Sequence, residues 1–373
     1  MSWNRLREIA RQVHLWIGLT GGIFIFVICL TGTILVFEDD VLHLLNPEVF
    51  AVEAGSTSAD FDNLQQQISE KSGKSVVGIA FNKDNTGPVQ MFVKKEGEKG
   101  RPETLYVHPS TGDILGNAKT LRGKEFFMFN FKLHRWFMME TEIGRPIVGF
   151  FTLGFVLATI TGLIVWFPKK MRYWRQGLKV KWKSNWKRVN HDFHSAFGLY
   201  AAVFLLILAL TGLCWSFEWY RNGLSELIGA KVFDRSKTEI KTEMIPGETL
   251  SLNDLIENQS QGLQEYGFLR LNLSPEANQA MELNAYRTGF AALSLPDRFY
   301  LHPQTGAVVG RQMIKELSFG EIVAKSIHDV HMGYIFGGLS KWIFFISSVI
   351  ATLLPITGIL IWWNKRRKKN FKL

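Results

Sequence analysis

His14-Leu-Trp-Ile-Gly18 and His194-Ser-Ala-Phe-Gly198 open two copies of one pattern, and their register decides how the chain is built. Thr31-Gly32 follows the first histidine by 17 residues and Glu38 follows it by 24; Thr211-Gly212 and Glu218 follow the second at the same spacings, a constant offset of 180. Downstream, YVHPSTGDILG (Tyr106 to Gly116) returns as YLHPQTGAVVG (Tyr300 to Gly310), and TGLIVWFPKK (Thr161 to Lys170) as TGILIWWNKR (Thr357 to Arg366). Self-similarity at a fixed offset means a duplicated half-protein. Histidines stay in register between the copies while most other residues differ, which marks them as the first place to look for function.

Each half has two apolar runs long enough to cross a bilayer, which takes about 20 helical residues. They fall near 15–37, 146–167, 195–217 and 341–363. The mean hydropathy of +0.04 is unremarkable only because two long polar segments dilute them. Basic residues next to span ends stay on the cytoplasmic side. Arg5, Arg7 and Arg11 precede the first span, residues 168–190 hold nine Lys/Arg and no acid, and the tail from Asn364 holds six Lys/Arg and no acid. Outside these segments acids outnumber bases, so the net charge of +10 is a topology signal and not a nucleic-acid footprint. The first run is too long for the apolar core of a cleavable signal and leads into Phe37-Glu38-Asp39-Asp40, with no small-residue cleavage site, so it reads as a retained span. Cys29 and Cys214 lie in different apolar runs; there is no disulfide framework, no Cys-rich metal site and no CxxCH motif for covalent haem.

The polar segments alternate like antiparallel sheets. In the first, a helix over 61–72 precedes strands at 76–81, 89–95 and 104–107, and the Pro-Ser-Thr-Gly turn interrupts before 113–115 resumes. In the second, a helix over 252–260 precedes strands at 268–273, 280–286 and 299–301. The expected fold class is mixed: a membrane α-helical bundle of four spans built from two parallel repeats, carrying two periplasmic α+β domains. The expected divisions are 1–37 (cytoplasmic N-terminus and first span), 38–143 (first α+β domain with the His134 segment) and 144–167 (second span). A basic cytoplasmic loop at 168–190, the third span at 191–217, a second α+β domain with the His331 segment at 218–338, the fourth span at 339–363 and a basic cytoplasmic tail at 364–373 complete them.

A Tyr-x-His-Pro-x-Thr-Gly block closing a small α+β unit, flanked by spans bearing His and Thr-Gly, resembles the PepSY-associated transmembrane family over essentially the whole chain. The resemblance implies a multi-pass bacterial inner-membrane protein with PepSY-like external domains, associated with iron acquisition. Its ferric-siderophore reductase-like branch implies haem-dependent reduction of a ferric siderophore.

The histidines sort by position. His14 and His194 begin equivalent spans at the cytoplasmic side; His134 in LHRWF and His331 in VHMGY precede the second and fourth spans at the outer side. Halves of like topology are related by an axis along the membrane normal, so equivalent residues near it face each other. Two facing imidazoles are what a six-coordinate haem iron requires. One haem b is expected between His14 and His194 and another between His134 and His331. The plainer alternative is interfacial histidines bonded to carbonyls; a single four-His metal site is disfavoured because the pairs lie at opposite faces. His191 and His328 stand three residues before His194 and His331, on about the same helix face, as supporting partners or substitutes for the ligands. His108 and His302 belong to the repeated turn and read as structural, and His43 as solvent-facing. The Thr-Gly pairs, one per span, permit close helix packing or leave room for a haem face.

A helix running unbroken from His134 to Trp166 would be about 48 Å long, more than a bilayer needs. The chain is therefore expected to break or protrude near Gly144-Arg145-Pro146, and likewise near Gly337-Gly338, which puts both outer histidines on short segments. Trp136, Phe137, Tyr334 and Phe336 are candidates to wall the outer haem or to form an interfacial aromatic belt.

With the paired histidines, the resemblance implies a transmembrane reductase that takes electrons from a cytoplasmic flavin or NAD(P)H reductase, or from quinol, and passes them to a ferric chelate outside. No dinucleotide fingerprint is present, so that chemistry falls to a partner. The rival is a non-catalytic membrane regulator or accessory subunit of siderophore uptake. A permease is disfavoured because the spans lack the polar interior residues of an ion path.

Overall fold

The computed structural model describes residues 2–52, 59–168, 170–234, 240–245, 247, 250–260, 262–274, 276 and 278–370. Lys169 of the basic loop and residues 371–373 of the tail, both included in the expected divisions, lie outside these. The first half runs α1 (Trp3–Thr20), α2 (Gly22–Leu35), α3 (Glu38–Leu45), α4 (Pro47–Phe50), α5 (Phe61–Ser72), β1 (Ser75–Asn82), β2 (Val89–Lys94), β3 (Glu103–Val107), β4 (Ile114–Asn117), α6 (Lys124–Trp136) and α7 (Thr141–Trp166). After the short α8 (Trp174–Gly177), the second half runs α9 (Trp186–Ser216), α10 (Glu218–Ile228), α11 (Leu252–Ser260), β5 (Phe268–Asn272), β6 (Met281–Tyr286), β7 (Asp297–Leu301), β8 (Val308–Gln312), α12 (Phe319–Met332) and α13 (Gly337–Asn370).

Helices α7, α9 and α13 are long and apolar enough to cross a membrane, and α1 with α2 forms a fourth candidate bent by 71°. The first span is therefore not the single straight helix expected over 15–37. The bend falls at Gly21-Gly22, where the second repeat has Ala201-Ala202 inside the unbroken α9. Each glycine costs a helix about 1 kcal/mol relative to alanine, so the break forms where continuity is weakest. Ile23, Phe150, Val203 and Ile346 project outward, each more than half exposed, giving the helices the apolar exterior that a lipid environment covers. Inside, α9 and α13 meet through Ala201, Leu205, Ile350 and Ala351, small and medium residues that let the helices approach.

The two α+β units do not stand apart as separate domains. Their strands form one eight-stranded antiparallel sheet in the order β4-β3-β2-β1-β5-β6-β7-β8. Strands β1 and β5 join the halves with Ile79 opposite Leu271, and the Leu273 N–H donates to the Val77 carbonyl at 3.0 Å. Each unit alone would leave this strand as an unpaired edge; pairing across the repeat satisfies both. A single apolar core spans the seam, with Ile68, Ile79 and Met91 from one half and Leu269, Leu271 and Leu283 from the other. The overlying helices cap each other. Asp62 accepts from the Leu252 and Asn253 N–H groups at the start of α11 (2.8 and 3.0 Å), and Asn253 Oδ1 accepts from the Phe61 N–H at the start of α5 (2.6 Å).

Below the sheet, α6 packs on α2 and α12 on α9. The chain breaks after α6 at Phe137 and Met138, both in the left-handed region (φ 51° and 61°), and not at Gly144-Arg145-Pro146, which lies within α7. Gly144 instead makes room for the α6 hairpin: a Cβ there would stand 2.2 Å from the Trp136 carbonyl oxygen. In the second half the break runs from Gly333 to Gly337, at the expected place.

Candidate functional site: two histidine pairs docked on Thr-Gly platforms

Each of the four symmetric histidines rests on a Thr-Gly pair contributed by the other span of its own half. His14 on α1 donates from Nδ1 to the Ala158 carbonyl of α7 at 2.8 Å, beside Thr161-Gly162. His134 on α6 meets α2, with Nδ1 2.9 Å from the Ile28 carbonyl and 3.2 Å from the Thr31 hydroxyl. In the second half, His194 on α9 contacts the Thr357 hydroxyl of α13 at 2.8 Å. His331 on α12 lies 3.0 Å from both the Leu208 carbonyl and the Thr211 hydroxyl of α9.

The threonine proton is already committed to carbonyls of its own helix, as with Thr31 to Val27 and Thr357 to Leu353. The hydroxyl therefore accepts from the imidazole, and a carbonyl can only accept. Both partners place the proton on Nδ1 and leave the Nε2 lone pair free, the arrangement that supports metal-ligating histidines. The glycine is what lets the ring lie against the helix. A methyl group would stand 2.9 Å from His134 Cε1 at Gly32, 3.2 Å from His14 at Gly162, 2.9 Å from His331 at Gly212 and 3.3 Å from His194 at Gly358. The Thr-Gly pairs thus serve as imidazole seats, a role that neither of the two readings considered from sequence described.

Across the halves the seated rings pair as the duplication implies. His14 and His194 have ring centroids 6.0 Å apart at 83°, and His134 and His331 6.3 Å apart at 43°. Two imidazoles on opposite sides of one metal, each bonded at roughly 2.0–2.1 Å with the nitrogen about 1.1 Å from its ring centre, have centroids about 6.2 Å apart. Both pairs match that separation. His194 and the Leu208 seat of His331 are fourteen residues apart on α9, about 21 Å along its axis, so the pairs occupy two levels of the bundle. Among the described residues no three His, Cys, Asp or Glu side chains converge on one point.

A cavity of about 350 Å³ surrounds the sheet-end pair, within the about 300–1,000 Å³ usual for ligand pockets. Its walls include Phe131, Phe151, Phe155, Trp215 and Phe344 together with His134 and His331. The aromatics singled out from sequence, Trp136, Phe137, Tyr334 and Phe336, are not among the lining residues. His328 lines the cavity but is more than half exposed and bonded to Asp329 at 2.8 Å. His191 is likewise exposed, 3.6 Å from Asp192, and neither is paired with another histidine ring; His328 lies edge-on to Trp215 at 6.3 Å. His108 and His302 hold the repeated turn: the Nδ1 atoms accept from the Ser110 and Gln304 N–H groups, each at 3.2 Å. His43 is exposed and stacks on Phe50 at 3.8 Å.

Duplicated apolar helices, a shared eight-stranded sheet and two levels of paired histidines define a membrane protein with paired imidazole sites. The chain belongs to the PepSY-associated transmembrane family, whose model for the PepSY-associated TM region matches residues 11–365. A comparison with curated proteins gives no significant match.

Proposed function

We propose that the protein is a bacterial inner-membrane reductase that passes electrons across the bilayer to a periplasmic ferric chelate, a ferrisiderophore, using two haem b groups. The observation that carries this reading is the spacing of the two ring pairs, 6.0 and 6.3 Å, with the Nδ1 protons anchored on the platforms. His14 with His194, and His134 with His331, would hold the two irons. When bound, haem supplies a one-electron Fe(III)/Fe(II) couple whose potential follows from axial ligation and burial. The chain's own residues orient the imidazoles through Ala158, Ile28, Thr357 and Leu208 and keep water from the rings with apolar helix faces.

In this reading both termini and the basic loop face the cytoplasm, and the eight-stranded sheet faces the periplasm. Electrons enter at the His14–His194 level from a flavin or NAD(P)H reductase or from quinol and leave at the His134–His331 level. The ferric chelate takes up one electron, and the resulting Fe(II) suits hard oxygen ligands less well, which favours release.

The test is the absorption spectrum of the detergent-purified protein, oxidised and dithionite-reduced, with haem stoichiometry. Two low-spin haems per chain are expected, one lost in His14→Ala and the other in His331→Ala, with both retained in His191→Ala and His328→Ala. A folded, colourless protein from haem-replete cells refutes the proposal and leaves the regulatory or accessory role to be pursued.

A further inference from the structure

Three arginines, Arg101, Arg135 and Arg145, line the sheet-end cavity together with the His134–His331 pair. They come from separate places in the chain: the loop before β3, the end of α6 and the start of α7. Arg135 and Arg145 both approach the Trp136 ring, at 5.6 and 5.9 Å, and the charges of Arg145 and Arg101 act repulsively on Arg135. Neither Arg135 nor Arg145 forms a salt bridge with any described residue, and the buried Arg145 Nε has no hydrogen-bond partner. Glu38 is the acid that lines the cavity, and it is engaged by Lys124 at 2.7 Å.

The second repeat supplies a contrast. Lys341, which the Thr161–Thr357 register places opposite Arg145, is paired with Asp40. One copy of this basic position is neutralised within the protein; the other lines the cavity without a salt bridge to any described residue. Clustering guanidinium groups in a partly desolvated site is unfavourable without an anion. A planar donor fork suits a carboxylate, which it binds through two parallel hydrogen bonds.

We infer that Arg135 and Arg145, with Arg101 at the rim, bind the propionate carboxylates of a haem seated between His134 and His331. This rests on the haem reading above and extends it: the arginines fix the rotational setting of the macrocycle and compensate its negative charge.

The experiment is reconstitution of the haem-free, detergent-solubilised His14→Ala chain, which retains only the sheet-end pair, with haem b and with its dimethyl ester. The expected result is a preference for haem over the ester of at least tenfold in the parent, abolished in Arg135→Gln/Arg145→Gln and restored in part by Arg145→Lys. A redox titration of the full chain supplies a second reading. Arg145→Gln lowers the midpoint of the sheet-end haem by about 59 mV for each tenfold change in the one-electron equilibrium constant, leaving the other haem unmoved. Equal binding of haem and ester, or an equal preference in parent and double variant, overturns the assignment. So does unchanged haem binding accompanied by lost reduction of ferric citrate, which would give the arginines to an anionic substrate instead. If the wild-type chain binds no haem at all, the failure is that of the function and not of this site.

Discussion

Substituting the platform glycines separates the imidazole-seat account from ordinary helix packing. In Gly212→Ala the new methyl carbon would lie 2.9 Å from His331 Cε1, where non-bonded carbons settle at about 3.5–4.0 Å. The ring must retreat by roughly 0.6 Å to reach the near edge of that range. Its Nδ1 is 3.0 Å from both the Leu208 carbonyl and the Thr211 hydroxyl, so such a retreat carries both contacts past hydrogen-bonding range. The expected cost is about 1 kcal/mol for the lost hydrogen bonding plus about 1–3 kcal/mol for overpacking. Gly32→Ala is equivalent at His134, whereas at Gly162 and Gly358 the contacts are 3.2 and 3.3 Å and a small adjustment suffices. The assay is apparent thermal stability in detergent, read with the absorption spectrum of any bound haem. The sheet-end substitutions should lower stability and perturb one haem signal, with Gly162→Ala and Gly358→Ala clearly milder. Equal effects at all four glycines, or no effect at Gly212, would refute the reasoning.

Two further outcomes concern the sheet. Asp62→Ala removes the acceptor for two N–H groups of α11, and should destabilise the α+β unit by about 1–2 kcal/mol, measured by urea unfolding with tryptophan fluorescence. The Glu103 carboxyl is held by the Lys74 ammonium, then by the Asn117 amide, and its pKa falls from 4.5 to about 2. A carboxylate depressed on folding contributes stability above its unfolded pKa and loses it as the pH falls through the folded value. Unfolding monitored from pH 6 to 2 should therefore show a decline between about 4.5 and 2 that is shallower in Glu103→Gln.

The α+β unit was largely legible along the chain because its signals are local. Helices α5 and α11 fall on the expected residues, and the strands through β7 match within two residues, since alternation and turn chemistry act over a few positions. That β1 and β5 would close into one sheet was not legible, because either strand could equally have ended as a protected edge; the choice was made by the shared core and the crossed caps of Asp62 and Asn253. The arginine cluster escaped notice for a similar reason. Arg101, Arg135 and Arg145 are scattered in sequence, and nothing in their local pattern distinguishes them from surface cations.

The duplication by itself determined which histidines correspond, since matching flanking motifs along the chain need no third dimension. Their partnership at 6.0 and 6.3 Å, and the role of each Thr-Gly as the seat of a histidine from another helix, were decided only by tertiary packing. The physical reason is that a spacing along the chain specifies a helix face, whereas the space left by a missing Cβ acquires meaning only from the ring that another helix brings into it.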